Sequence, residues 1–116
     1  MKITNLEAWS CVQMISGVKE TGKLGFAIAK NARKLKDELK EYDAKRDELI
    51  EKYGTALGDG RFNLTSENAS MLQEEMAEYD SIEFEFEPLK VSEEVFCGGN
   101  LTSDQMYMLM WMVDEQ

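Results

Sequence analysis

Hydrophobic positions recur along this chain at two periods, and the switches between them mark its elements. Leu6, Trp9, Val12 and Met14 or Ile15 recur at helical spacing behind Thr4, and Glu7 completes a capping box. This predicts a helix over Asn5–Ile15. Ser16-Gly17, Gly22 and Gly25 then mark a turning segment that holds Lys23. From about Phe26 to Tyr53 no Gly or Pro intervenes, and Ile28, Ala32, Leu35, Leu39, Tyr42, Arg46, Leu49 and Tyr53 alternate spacings of four and three. The stripe, interrupted only at Arg46, predicts one long helix over 26–53, a rod of roughly 40 Å at about 1.5 Å per residue. Such a rod overhangs a domain whose radius of gyration should be about 13 Å, so it is expected to pack on a second subunit. Gly54 stands at the expected helix end.

Beyond the rod, Gly58-Asp59-Gly60 predicts a turn into an extended Arg61–Leu64 segment, and Thr65 or Ser66 caps a helix to about Asp80. Ile82 to Glu87 alternates apolar with Glu, the pattern of a half-buried strand, which Pro88 stops. A second short strand is expected within Leu89–Phe96, and Cys97-Gly98-Gly99-Asn100 reads as a loop. Thr102 with Gln105 forms a second capping box, opening a terminal helix from Ser103 to about Val113. Met106 to Val113 leaves that helix no polar face, so it should be enclosed or complete an interface. The fold class is therefore α+β, mostly α: one long helix, three shorter ones and a small antiparallel β element. A single domain, 1–116, is expected to form a homo-oligomer. Its contacts would come from Leu35, Leu39 and Tyr42 on the rod and from Met106, Met110 and Trp111 at the end. A charge at Met110 should then dissociate or unfold the protein.

Charge changes the picture more than composition does. Residues 1–46 hold ten Lys/Arg and six Asp/Glu, whereas residues 47–116 hold three and seventeen, so the net −10 hides a basic strip. The acidic remainder argues against nucleic acid as a partner. The longest apolar stretch is far short of the roughly 20 residues that span a bilayer, and the start carries no signal-peptide pattern, so the cytoplasm is the expected location. The chain has no histidine and two widely separated cysteines, Cys11 and Cys97. The usual neutral-pH acid/base, every Ser-His or Cys-His pairing and the commonest metal ligand are missing, so neither catalysis nor a metal or other cofactor is expected.

Several segments are similar to one another's counterparts in a family of small tailed-phage proteins. The MKITN start, FAIAKN, LKDELKEYDAKRDELIEKYG, DGRF, IEFEFEPLKVSE and the closing LTSDQMYMLMWM together resemble uncharacterised proteins of phages that infect Gram-positive bacteria. The resemblance implies a setting, the cytoplasm of an infected cell, and transfers no activity or catalytic residue.

Two surfaces carry the candidate chemistry. Lys30, Asn31, Arg33 and Lys34, with Lys23, would sit near the start of the long helix, where the macrodipole favours anions and an amide could read a base or ribose edge. Acidic residues Glu74, Glu75 and Glu78, with Glu83, Glu85, Glu87, Glu93 and Glu94, could instead imitate a nucleic-acid backbone and fill a basic groove on a protein. The reading preferred from sequence is a non-enzymatic phage binding protein that counters host defence by sequestering an anionic nucleotide-derived signal. The alternatives are an acidic inhibitor that plugs a host defence protein such as a CRISPR effector, and a phage assembly or structural protein.

Overall fold

Thr4 closes a strand and opens a helix at the same time. Strand β1 (Lys2–Thr4) runs directly into helix α1 (Asn5–Ile15), and Thr4 Oγ1 accepts from the Glu7 amide at 3.1 Å while Glu7 Oε1 accepts from the Thr4 amide at 3.3 Å. The computed structural model describes Met1–Asp114. The alternating segment does form a strand, β4 (Glu83–Glu85), and its antiparallel partner is β1, with Ile3 opposite Phe84. The amide of Phe86 donating to the Met1 carbonyl and that of Asn5 donating to the Ile82 carbonyl extend the ladder at both ends.

The predicted rod is two helices. Helix α2 covers Gly22–Glu38 and α3 covers Lys40–Tyr53, with Leu39 between them at φ −87° and ψ 3°. Neither Pro nor Gly causes the break, and the hydrogen-bond ladder continues across it from Leu39 N to Leu35 O and from Asp43 N to Leu39 O. The two halves pack on different partners: α1 covers α2, and α4 (Ser66–Asp80) covers α3. The bend lets Leu39 stay in the core of both, 1% exposed. Leu35, Leu39 and Tyr42, expected at an interface between subunits, are buried within one chain. The stripe finds its covering helices intramolecularly, so the overhang argument fails.

Helix α2 also begins earlier than the spacing suggested. Gly25, taken as part of a turn, lies inside it, because a Cβ there would meet the Glu20 carbonyl oxygen at 2.5 Å. Gly54 ends α3 in an extended conformation and not a left-handed one. A side chain there would approach Ile50 O at 2.6 Å and Phe62 Cβ at 2.9 Å. Beyond it β2 (Thr55–Ala56) pairs with β3 (Phe62–Asn63) around the Gly58-Asp59-Gly60 turn, and Thr65 caps α4 through the Asn68 amide.

Two expectations near the C-terminus are corrected. Leu89–Phe96 contributes one bridge, Val91 to Val113, in place of a strand, and then α5 (Glu93–Cys97). Ser92 starts that helix by accepting from the Val95 amide. The terminal helix is α6 (Ser103–Met108), which breaks at Leu109 and continues as a 3-10 turn over Met110–Met112. The break sends Leu109 and Met112 fully inside while Tyr107 and Met110 stay 81% and 55% exposed. Met110 is thus a surface residue, not an enclosed one.

Buried side chains form two clusters. One joins Ile3, Ala8, Cys11, Leu35, Leu39, Tyr42, Leu49, Leu72, Met76 and Phe86; the other joins Leu24, Ala27, Ile28, Phe96, Leu101, Leu109 and Met112. Trp111 packs on both, edge-to-face with Phe86 at 5.3 Å, and Met106 packs on the second from the same chain. The molecule measures 48 × 28 × 22 Å with a radius of gyration of 16.6 Å. That exceeds the roughly 13 Å of a compact chain this long. The hairpin α3–β2–β3–α4 forms an arm of the elongated body.

Candidate functional site

The basic strip loses its two structural supports. Because α2 begins at Gly22, Lys30, Arg33 and Lys34 lie in its middle, where the macrodipole gives anions no advantage. Lys23 alone occupies the first turn. Asn31 is fully buried: its Nδ2 donates to the Leu89 carbonyl at 2.9 Å and its Oδ1 accepts from the Leu89 amide at 2.7 Å. This double bond satisfies the backbone just after Pro88, so the amide expected to read a ligand is committed to the fold. Lys34 Nζ donates to the Glu87 carbonyl at 3.0 Å, and the Lys30 ammonium lies 5.8 Å from the Phe26 ring centre. Lys23 borders a shallow cavity with Glu20, Glu94 and Asn100, and the other four expected ligands do not line it. Glu20 is already engaged there, accepting from the Asn100 amide.

The acidic residues divide into two groups. Glu93 and Glu94 occupy the first turn of α5, where the helix dipole favours them, and Glu85 lies 3.6 Å from the Met1 amine. Those positions have local explanations. Helix α4 is different. It carries Glu67, Glu74, Glu75, Glu78 and Asp80 with no Lys or Arg, and no basic residue relieves its last turn. Acidic groups there oppose the dipole, at a cost of a few tenths of a kcal/mol each.

Asp80 has an internal use. It accepts a short hydrogen bond from the Tyr42 hydroxyl, and burial together with that carboxylate pushes the phenol up to about 12. Arg46 Nη1 donates to the same hydroxyl at 3.4 Å while its guanidinium lies 4.1 Å from the Trp9 ring centre. That stacking explains the one charged residue in the hydrophobic stripe. Glu75 also has partners. The Tyr53 hydroxyl donates to it at 2.5 Å and Lys52 Nζ at 3.2 Å, and these bonds hold its carboxyl below the usual range.

Glu74 and Glu78 are exposed, and no ion pair among the described residues neutralises them. They flank a groove of about 470 Å³ whose other walls are Tyr53, Met71, Glu75 and Tyr79. An open groove with two aromatic rings and three carboxylates suits a cation carried on an apolar stem, such as an arginine side chain. The spacing of Glu74, Glu75 and Glu78 showed the acidic face of α4. It did not show that Tyr53, from the far end of α3, would complete a groove, because that depends on how the two helices pack.

A third surface lies between α1 and α6. Leu6, Ser10, Tyr107 and Met108 wall an apolar groove of about 450 Å³, with Ile3 and Trp111 beneath. Cys11 also borders it; burial raises its thiol above the ordinary value, and the neighbouring Trp111 indole partly offsets this. The indole N–H is buried without a well-formed hydrogen bond among the described residues. Of the terminal residues expected at an interface, Met110 is exposed, whereas Met106 and Trp111 are partly enclosed by their own chain.

Among the described residues, no three His, Cys, Asp or Glu side chains converge as a metal site. No helix among them is long and apolar enough to cross a membrane. No protein-family model, curated protein or solved structure matches the chain.

Proposed function

We propose that this chain is a non-enzymatic binding protein whose acidic arm docks on a cationic surface of a protein partner. The observation that carries this reading is helix α4, whose five acidic residues stand without one Lys or Arg and persist into a last turn that disfavours them. A helix that accepts this local cost, and lines a groove with Glu74 and Glu78 unneutralised, presents charge to something outside the molecule. In the infected-cell setting implied by the resemblance to phage proteins, the partner would be a host defence protein with a basic groove.

Sequestration of a nucleotide-derived signal is the weaker reading on this geometry. It depended on Asn31 and on a helix start beside Lys30, and Asn31 is spent on Leu89. Self-association through Leu35, Leu39 and Tyr42 loses support in the same way.

A titration against a labelled arginine-rich peptide without apolar residues tests the proposal. Binding should weaken steeply with salt, and Glu74→Gln with Glu78→Gln should reduce affinity about tenfold, the loss of one to two close charge pairs. Glu83→Gln with Glu85→Gln should change it far less. A thermal shift with cyclic or ADP-ribose-type nucleotides, abolished by Arg33→Ala, would instead restore the sequestration reading.

A further inference from the structure

We propose that the groove between α1 and α6 receives a cationic amphipathic helix from another protein, independently of the acidic arm. Its walls are two helices whose outward side chains are apolar: Leu6 is 43% and Tyr107 81% exposed, and Met1 at one end is 43% exposed. Large apolar side chains gathered at one open groove differ from the scattered exposed hydrophobics of an ordinary surface. The groove of about 450 Å³ is open to solvent along its length, the shape of a helix-in-groove site with anchors spaced three or four apart.

Charge selects the occupant. Glu7 is the one charged side chain that lines the groove, and its carboxylate, although it caps Thr4, faces no cation among the described residues. Asp104 stands one turn before Tyr107 and Met108 on α6, so it borders the same wall. The rim is thus acidic, and an amphipathic helix with Lys or Arg beside its apolar stripe complements it. A second copy of this chain complements it poorly. It would bring Glu7 towards Glu7 across a two-fold axis, between molecules that each carry −10.

Three labelled synthetic peptides test the inference by fluorescence anisotropy: a Leu/Lys amphipathic helix, the same peptide with Glu for every Lys, and a scramble of the Leu/Lys composition. The Leu/Lys helix should bind at least about tenfold tighter than either control. Leu6→Ala and Tyr107→Ala, both at exposed positions, should each weaken it by about tenfold, the loss typical of an anchoring residue. Glu7→Gln keeps the capping box and should weaken it severalfold, less so at high salt. Glu74→Gln with Glu78→Gln should leave these differences between peptides intact, which separates this groove from the arm. Equal binding of helix and scramble, or unchanged binding by the Leu6 and Tyr107 variants, overturns the inference. A dimer in sedimentation that Tyr107→Ala dissociates overturns it as well, by assigning the groove to a second copy.

Discussion

Asn31 shows how one residue can be misread by its neighbours. Flanked by Lys30, Arg33 and Lys34, it looks like part of a polar face, yet it stands three residues after Ile28 and four before Leu35, on the buried stripe. That spacing was the available sign, and what it could not show was the backbone at Leu89 brought against it from 58 residues away. Asn31→Ala leaves two buried backbone groups unpaired and should cost about 2–4 kcal/mol in urea unfolding. A loss under about 0.5 kcal/mol, the size of a surface substitution, would mean that water replaces the amide. Tyr42 gives a pH signature at the same scale. Its proton is held more tightly in the fold, about 12 against 10.0, so the stability it adds is complete below pH 10 and is lost as pH rises through 12. Tyr42→Phe should flatten the stability profile in that alkaline window. A variant profile parallel to the parent's between pH 10 and 12 would assign the titration to another group.

At the scale of elements, local patterns placed α1, α4, β4 and both capping boxes correctly, because each depends on side chains within a few residues. The pattern failed where distant contacts decide. The partner of β4 comes from the first residues of the chain, and the bend at Leu39 reflects two different covering helices. The break at Leu109 belongs with these, since eight consecutive apolar residues gave no periodic cue to which would turn inward. The structure therefore reverses one expectation: Met110→Glu should change the melting temperature little. Met112→Glu, placing an unpaired charge at a fully enclosed site, should prevent stable folding. Comparable melting of the two variants would contradict the inward and outward assignment. Gly54→Ala should lower stability by about 1–3 kcal/mol through its collision with Ile50 O and Phe62, with faster amide exchange at the tip of the arm.

For the whole molecule, the split of charge read from sequence survives, and its meaning shifts. The amino-terminal cations are spread along α2 and partly used within the chain, whereas the arm from Lys40 to Asp80 holds eleven acidic residues against five basic ones. An elongated body 48 Å long, built on two cores joined through Trp111, sets that arm apart as a surface able to enter a partner's groove. The sequence revealed which residues were acidic but not that Tyr53 and Tyr79 would line a groove with them. Amide hydrogen exchange with and without the arginine-rich peptide locates the contact. Exchange should slow across Met71–Glu78 and near Tyr53, and stay unchanged over Lys30–Lys36. Protection confined to Lys30–Lys36, or to α1 and α6, would contradict docking through the acidic arm.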